Sequence, residues 1–221
     1  MRVRFLSLLK QHQEFLLLYL FFLLVAFVIM AAVPKYELFL LVNRYYNSFF
    51  DVFFVAYTWA GDGWTMFLVA VGLVFVKYRY ALLTILAYGY TSLFGWIIKR
   101  LMNEPRPFKY FENREPIRVI EGFDMHSWYS FPSGHSITAF ALATVMAFLM
   151  PARYKKFTWI LVLLAVLAGF SRVYLSQHFF QDIVAGSVIG VFFSFHMIWL
   201  LLNSKWYHSE KLEGRLFGGT R

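Results

Sequence analysis

The sequence has no cysteine. That excludes disulfides, thiolate nucleophiles and cysteine-ligated metal sites. Charge is scarce too. Only 15% of the 221 residues are charged, where soluble domains carry roughly a quarter. So little charge argues against a soluble domain. No basic tract with interleaved aromatics stands in a polar segment, so nucleic acid is not an expected partner.

What the chain does have is apolar length. It is 60% hydrophobic and 22% aromatic, with several runs near the roughly 20 residues that cross a bilayer as a helix. Six spans are expected: Phe15–Val33, Gly63–Val76, Ala81–Ile98, Ser133–Met150, Phe157–Leu175 and Ile183–Leu202. The first is longer than a signal-peptide core and lacks a convincing cleavage site, so it is kept as a span. The second is short and has room to begin earlier, near Phe53. Tyr36–Ala60 mixes Asn43, Arg44, Asn47 and Asp51 with many aromatics, which suits a short helix in the interface plane. The expected fold is therefore all-α: a polytopic six-transmembrane-helix bundle with a short interfacial helix. The whole chain, 1–221, reads as one domain.

The net charge of +9 fits both basic cytoplasmic loops and attraction to anionic head groups. In the six-span layout one side receives Arg2, Arg4, Lys10, Lys77, Arg79, Arg153, Lys155, Lys156, Lys205, Lys211, Arg215 and Arg221. That is twelve of the 21 basic residues, and it places both termini in the cytoplasm. Gly186 and Gly190 form a small-xxx-small pair, expected to pack helices within the chain rather than to form a dimer face. His196, in the same span, is expected to be a buried packed residue without a role.

Three polar islands interrupt the apolar pattern: "KRLMNEPRPF" (Lys99–Phe108), "FPSGHS" (Phe131–Ser136) and "SRVYLSQHFFQD" (Ser171–Asp182). Spans three and five run outward and span four inward, so all three fall at one face, the outer one. Each has a structural reading when taken alone. Lys99 could snorkel and Arg106 pair with head groups. Pro-Ser-Gly-His could be a helix start. Arg172, His178 and Asp182 could be an interfacial turn. Together they make coherent chemistry, and ionisable residues at membrane depth are functional by default. Lys99, Arg106 and Arg172 put three cations around one point. Ser133 and Gly134 open a helix whose N–H groups would face an anion. His178 and Asp182 stand four apart, a spacing that lets the carboxylate fix the imidazole tautomer and free the other nitrogen to attack. His135 is placed to protonate a leaving alkoxide and later to deprotonate water. Glu104, Glu112, Glu115, Glu121 and Asp124 show no metal-ligand spacing, so no metal and no cofactor are expected.

At these residues the chain resembles the type 2 phosphatidic acid phosphatase family. The signatures of that family read here as Lys99…Arg106-Pro107, Pro132-Ser133-Gly134-His135 and Ser171-Arg172…His178…Asp182, complete and in order. The resemblance covers the catalytic half, about 81–203. It implies metal-independent hydrolysis of a phosphoester or pyrophosphate through a phosphohistidine. His178 would be the nucleophile, Asp182 its orienting partner and His135 the general acid and base. Lys99, Arg106, Ser133, Gly134 and Arg172 would hold the phosphate. The implied partners are the bilayer and a lipid substrate: phosphatidylglycerophosphate, phosphatidic acid, undecaprenyl pyrophosphate or a lipid A phosphate. The implied location is a bacterial inner membrane, with the site open to the outside. A transporter, a non-catalytic phospholipid-binding protein and a vanadate haloperoxidase are the alternatives. The first predicts charges at mid-span and the last is a soluble class. Oligomeric state is not legible. In the long loop Leu101–Phe131, His126 could touch substrate but reads first as a satisfied loop histidine. Arg114 and Arg118 suit either a second phosphate or solvent.

Overall fold

A computed structural model describes residues 3–218; Arg2 and Arg221, counted in the charge balance above, lie outside them. The described residues form helices and turns, with no β-strand. The helices are α1 (Phe5–Gln11), α2 (Gln13–Ala32), α3 (Lys35–Arg44), α4 (Ser48–Tyr57), α5 (Gly63–Val74), α6 (Tyr78–Met102), α7 (Pro107–Phe111), α8 (Gly134–Leu149), α9 (Thr158–Tyr174) and α10 (Phe180–Leu202).

Four stretches are long and apolar enough to cross a membrane: Gln13–Ala32, Tyr78–Phe111, Ala152–Tyr174 and Phe180–Leu202. Helices α5 and α8 are apolar but have 12 and 16 residues. At about 1.5 Å per residue they reach about 18 and 24 Å, short of a roughly 30 Å hydrocarbon core. The stretch before α5 does not lengthen it. Asp62 caps α5, its side chain accepting from the Trp64 N–H at 2.9 Å, and a 3₁₀ turn over Thr58–Gly61 separates it from α4.

The ambiguous stretch resolves into two helices rather than one. Helices α3 and α4 have ten residues each, about 15 Å apiece, too short to cross. Their polar side chains point at the long loop. Arg118 pairs with Asp51 at 2.5 Å and Arg44 with Glu115 at 2.8 Å. Asn43 bonds the backbone of Arg118 on both sides and also Ser176. The polar residues of α3 and α4 are thus pins that hold the loop over one end of the bundle.

Helix α8 lies at the centre, with ten of its sixteen residues buried. Its neighbour α10 approaches along Gly186 and Gly190. A Cβ at Gly186 would lie 2.7 Å from the Ser133 carbonyl oxygen, and one at Gly190 2.6 Å from that of Ile137. The small-residue pair therefore serves packing within the chain. His196 is half-buried, and its Nδ1 meets the Tyr90 hydroxyl at 2.8 Å. At the far end Asn203, just past α10, accepts from the Val3 N–H at 2.9 Å. The two ends of the described chain therefore share the face opposite the polar islands.

Candidate active site

Each island sits where a helix ends or begins. Lys99 lies in the last turn of α6, which closes at Asn103 in the left-handed region (φ 42°). Asparagine is one of the few residues that tolerates this conformation. Two backbone bonds fold the long loop back on this end: Ser130 N–H to Glu104 O, and Arg106 N–H to Ser127 O, both 2.9 Å. They bury Arg106, whose Nε donates to Trp128 O at 3.0 Å and whose Nη1 donates to Gln177 Oε1 at 3.1 Å. Arg172 ends α9, buried, with Nη1 donating to Thr58 Oγ1 at 2.8 Å. Its Nε is buried and has no partner. A desolvated guanidinium N–H without an acceptor is costly to leave unmade. It is a ready donor to an anion.

Ser133 is the N-cap of α8, its hydroxyl accepting from the Ser136 N–H at 3.4 Å. Gly134 opens the helix, and a Cβ there would meet nothing within 4 Å. Gly134 thus leaves room for a group to approach the backbone at the start of α8, as anion binding at a helix N-terminus requires.

His178 is 1% exposed. The tight turn before it, with Ser176 at φ 58°, directs the N–H groups of Gln177 and His178 to the Arg172 carbonyl. Its Nδ1 lies 3.3 Å from Asp182 Oδ2. That oxygen also accepts from Ser130 Oγ at 2.5 Å and from the Phe179 N–H at 2.9 Å. Asp182 therefore caps α10 and faces the histidine with the same oxygen. Burial, then the charges of Arg106, Lys99 and Arg172, hold the His178 imidazole well below the ordinary histidine range. It is neutral at pH 7. With Nδ1–H on the carboxylate, Nε2 carries the free lone pair.

Three clefts open among Lys99, Arg106, Gly134, His135 and Arg172; His178 itself lines none of the three. One of about 290 Å³ is lined by Asp62, Tyr88, Trp96, Lys99, Gly134 and His135 among others. A second, about 370 Å³, shares Asp62 and His135 with it and adds Thr58, Asp124, His126 and Arg172. A third, about 390 Å³, is lined by Lys99, Arg100, Arg106 and His126 between Trp96, Trp128 and Tyr129. All eight candidate residues, Lys99, Arg106, Ser133, Gly134, His135, Arg172, His178 and Asp182, thus gather at one end of the bundle. Among the described residues no cluster of three or more His, Asp or Glu has metal-holding geometry. The positive charge at this point belongs to Lys99, Arg106 and Arg172.

The histidine and arginines of the long loop part ways. His126 lines two of the clefts, and partial burial, then Arg106 and Arg172, lower its basicity. Arg118 is committed to Asp51, and its guanidinium lies 4.1 Å from the Tyr46 ring centre. Arg114 folds over Tyr110 at 4.1 Å. Ser130, Gln177, Thr58 and Asp62 complete the site and are invisible to motif spacing. Of these only Asp62 carried a sequence signal, an Asp before a glycine and an apolar run.

A family model described as the PAP2 superfamily matches residues 77–206, more than half of the chain. Phosphatidylglycerophosphatase B of Bacillus subtilis is 31% identical over 136 residues, 58% of this chain and 62% of that protein. Undecaprenyl-diphosphatase BcrC of the same organism is 30% identical over 112 residues, 48% of this chain and 52% of that protein. The matched region thus spans half to three fifths of these curated relatives. Among solved structures, Aquifex aeolicus LpxE superposes with a TM-score of 0.65 at 29% identity, covering 75% of this chain and 95% of that one.

Proposed function

The chain belongs to the PAP2 superfamily, and on that premise we propose that it is an integral membrane phosphatase. Its substrate is a lipid phosphomonoester or pyrophosphate, hydrolysed through a phosphohistidine without a metal. The observation that carries this reading is a buried, neutral His178, oriented by Asp182 and surrounded by three cations.

In this mechanism the phosphoryl group sits against the first turn of α8, with Ser133 and Gly134 at its oxygens. Lys99, Arg106 and the unpartnered Nε of Arg172 neutralise its equatorial charge. His178 Nε2 attacks phosphorus in line. The bond to the lipid oxygen breaks, and His135 gives that oxygen a proton. Water then attacks the phosphohistidine while His135 takes back a proton, and phosphate leaves. Asp182 stabilises the imidazolium character that His178 gains in the first step.

The six-span arrangement, with α5 and α8 as short crossings, also belongs to this proposal. So do cytoplasmic termini, a site facing outward and a bacterial inner membrane. Lys77, Arg79, Arg153, Lys155 and Lys156 lie at helix ends away from the islands, which supports that orientation. The substrate candidates are phosphatidylglycerophosphate, phosphatidic acid, undecaprenyl pyrophosphate and lipid A.

The test is phosphate release by detergent-purified protein in EDTA over those four lipids, with His178→Ala beside the wild type. Release from at least one lipid, abolished by the substitution, is expected. No release, or release indifferent to His178→Ala, would overturn the mechanism in favour of a non-catalytic lipid-binding protein.

A further inference from the structure

We propose that the cleft bounded by Lys99, Arg100 and Arg106 is a second phosphate subsite, which selects lipids whose head group carries a second phosphate between the attacked one and the tail. This deepens the phosphatase reading and rests on it.

The three clefts of the site differ in sign. The two that meet at His135 both carry Asp62, joined by Asp124 on the Arg172 side. The third carries Lys99, Arg100 and Arg106 and no carboxylate. Lys99 lines both this cleft and the one at Gly134 and His135, so an anion placed here is a neighbour of the attacked group. A second phosphate is repelled by the carboxylates of the first two clefts and drawn to the third.

Arg100 distinguishes the cleft from the central position. Its guanidinium lies 4.9 Å from the Tyr129 ring centre and 5.6 Å from that of Trp96, and Nη1 donates to the Tyr129 hydroxyl at 3.1 Å. The aromatic rings hold the planar fork while leaving other N–H groups for a phosphate. Arg100 makes no carboxylate ion pair among the described residues. Other cations near the long loop are taken: Arg114 by Tyr110, Arg118 by Asp51, Lys35 by Glu104 and Lys109 by Glu112.

The cleft also stands at the right depth. Trp96 and Trp128 are 56% and 47% exposed, and Trp96 and Tyr129 both lie against the Arg100 guanidinium. Tryptophan and tyrosine so placed settle at the head-group level. The inner phosphate of a diphosphate lipid, bonded to the tail, lies at that same level. When the bond between the bridging oxygen and the terminal phosphorus breaks, the electron pair leaves with the lipid monophosphate. The new negative charge then develops on the inner phosphate, beside Arg100. The subsite therefore stabilises the leaving group as well as binding it.

The experiment compares farnesyl diphosphate with farnesyl monophosphate, two probes with one tail, as mixed micelles with wild-type, R100A and R100Q protein. The wild type is expected to favour the diphosphate in kcat/KM. Both variants should reduce the diphosphate-to-monophosphate ratio by about tenfold, as loss of one charge-assisted hydrogen bond predicts. No wild-type preference, or an equal fall on both substrates, would overturn the subsite; the equal fall would make Arg100 a general attractor for the lipid surface. Absence of phosphate release from either probe by the wild type would instead count against the phosphatase reading itself.

Discussion

The backbone N–H of Ser133 donates to the backbone carbonyl of Asp182 at 3.0 Å. The cap of α8 and the residue whose carboxylate stands beside His178 are thus joined through the main chain. The spacing is kept by Gly186, one turn further along α10, where a Cβ would lie 2.7 Å from the Ser133 carbonyl oxygen and 2.9 Å from Ser136 Cβ. Gly186→Ala forces α8 and α10 apart at the site. The expected cost is about 1–3 kcal/mol of stability, with a fall in kcat/KM larger than the change in melting temperature accounts for. Melting in detergent and phosphate release measure both. Wild-type values of each would show that the contact has slack.

Ser130 Oγ donates to Asp182 Oδ2 at 2.5 Å, the oxygen that faces His178 Nδ1. Ser130→Ala removes one of the bonds that aim the carboxylate and leaves the phosphate cradle intact. A hydrogen bond to a charged group is worth about 1.5–3 kcal/mol, so kcat should fall about ten- to a hundredfold with KM nearly constant. A raised KM at constant kcat would instead place Ser130 in substrate binding.

Burial and three cations depress the basicity of His178. With His178 as the proposed nucleophile, the acid limb of the rate is expected below pH 6.5, the ordinary histidine value. Stability follows the same sign. Above pH 6.5 the imidazole is neutral in both folded and unfolded chains and contributes no pH dependence. As pH falls below 6.5 the unfolded chain takes up a proton that the folded one refuses, and stability is lost. His12, lowered to about 4 by burial and then Lys155, acts in the same window. Melting temperature between pH 7 and 4 should thus fall for the wild type and fall less for His178→Gln. Parallel curves would mean that His178 is protonated in the folded state.

Four of the six expected spans, the glycine contact and the clustering of three islands were legible because each is a matter of period or spacing. Apolar runs record which segments meet lipid or core, and Gly186–Gly190 repeats at one turn. Pairings across the chain leave no such trace. Asp51 reads as an interfacial polar residue and Arg118 as suited to a second phosphate or solvent, until they are seen to meet at 2.5 Å. Thr58 lay within the ambiguous stretch, and nothing in the sequence tied it to Arg172, 114 positions away. Ser130 looked like one more loop serine, because its role depends on where the loop folds back.

Asp62 is the remaining polar group that matters to the reaction. Its Oδ1 caps α5, and its Oδ2 lies 3.8 Å from His135 Nε2. The other charges acting on His135 are Arg172, Arg106 and Lys99, all positive. Asp62 is thus the one carboxylate, among the described residues, within ion-pair reach of His135, the histidine proposed to carry a proton to the leaving group. Asp62→Asn keeps the cap acceptor and removes the charge. If Asp62 supports proton donation, the loss should depend on the leaving group. On an alkyl phosphate kcat/KM should fall about tenfold, part of what general acid catalysis supplies. On p-nitrophenyl phosphate, whose leaving group departs without a proton, the loss should be small. The parameter kcat/KM isolates phosphoryl transfer to His178, before the water step that both substrates share. Equal losses on the two would reduce Asp62 to the cap of α5, because a structural defect does not distinguish leaving groups.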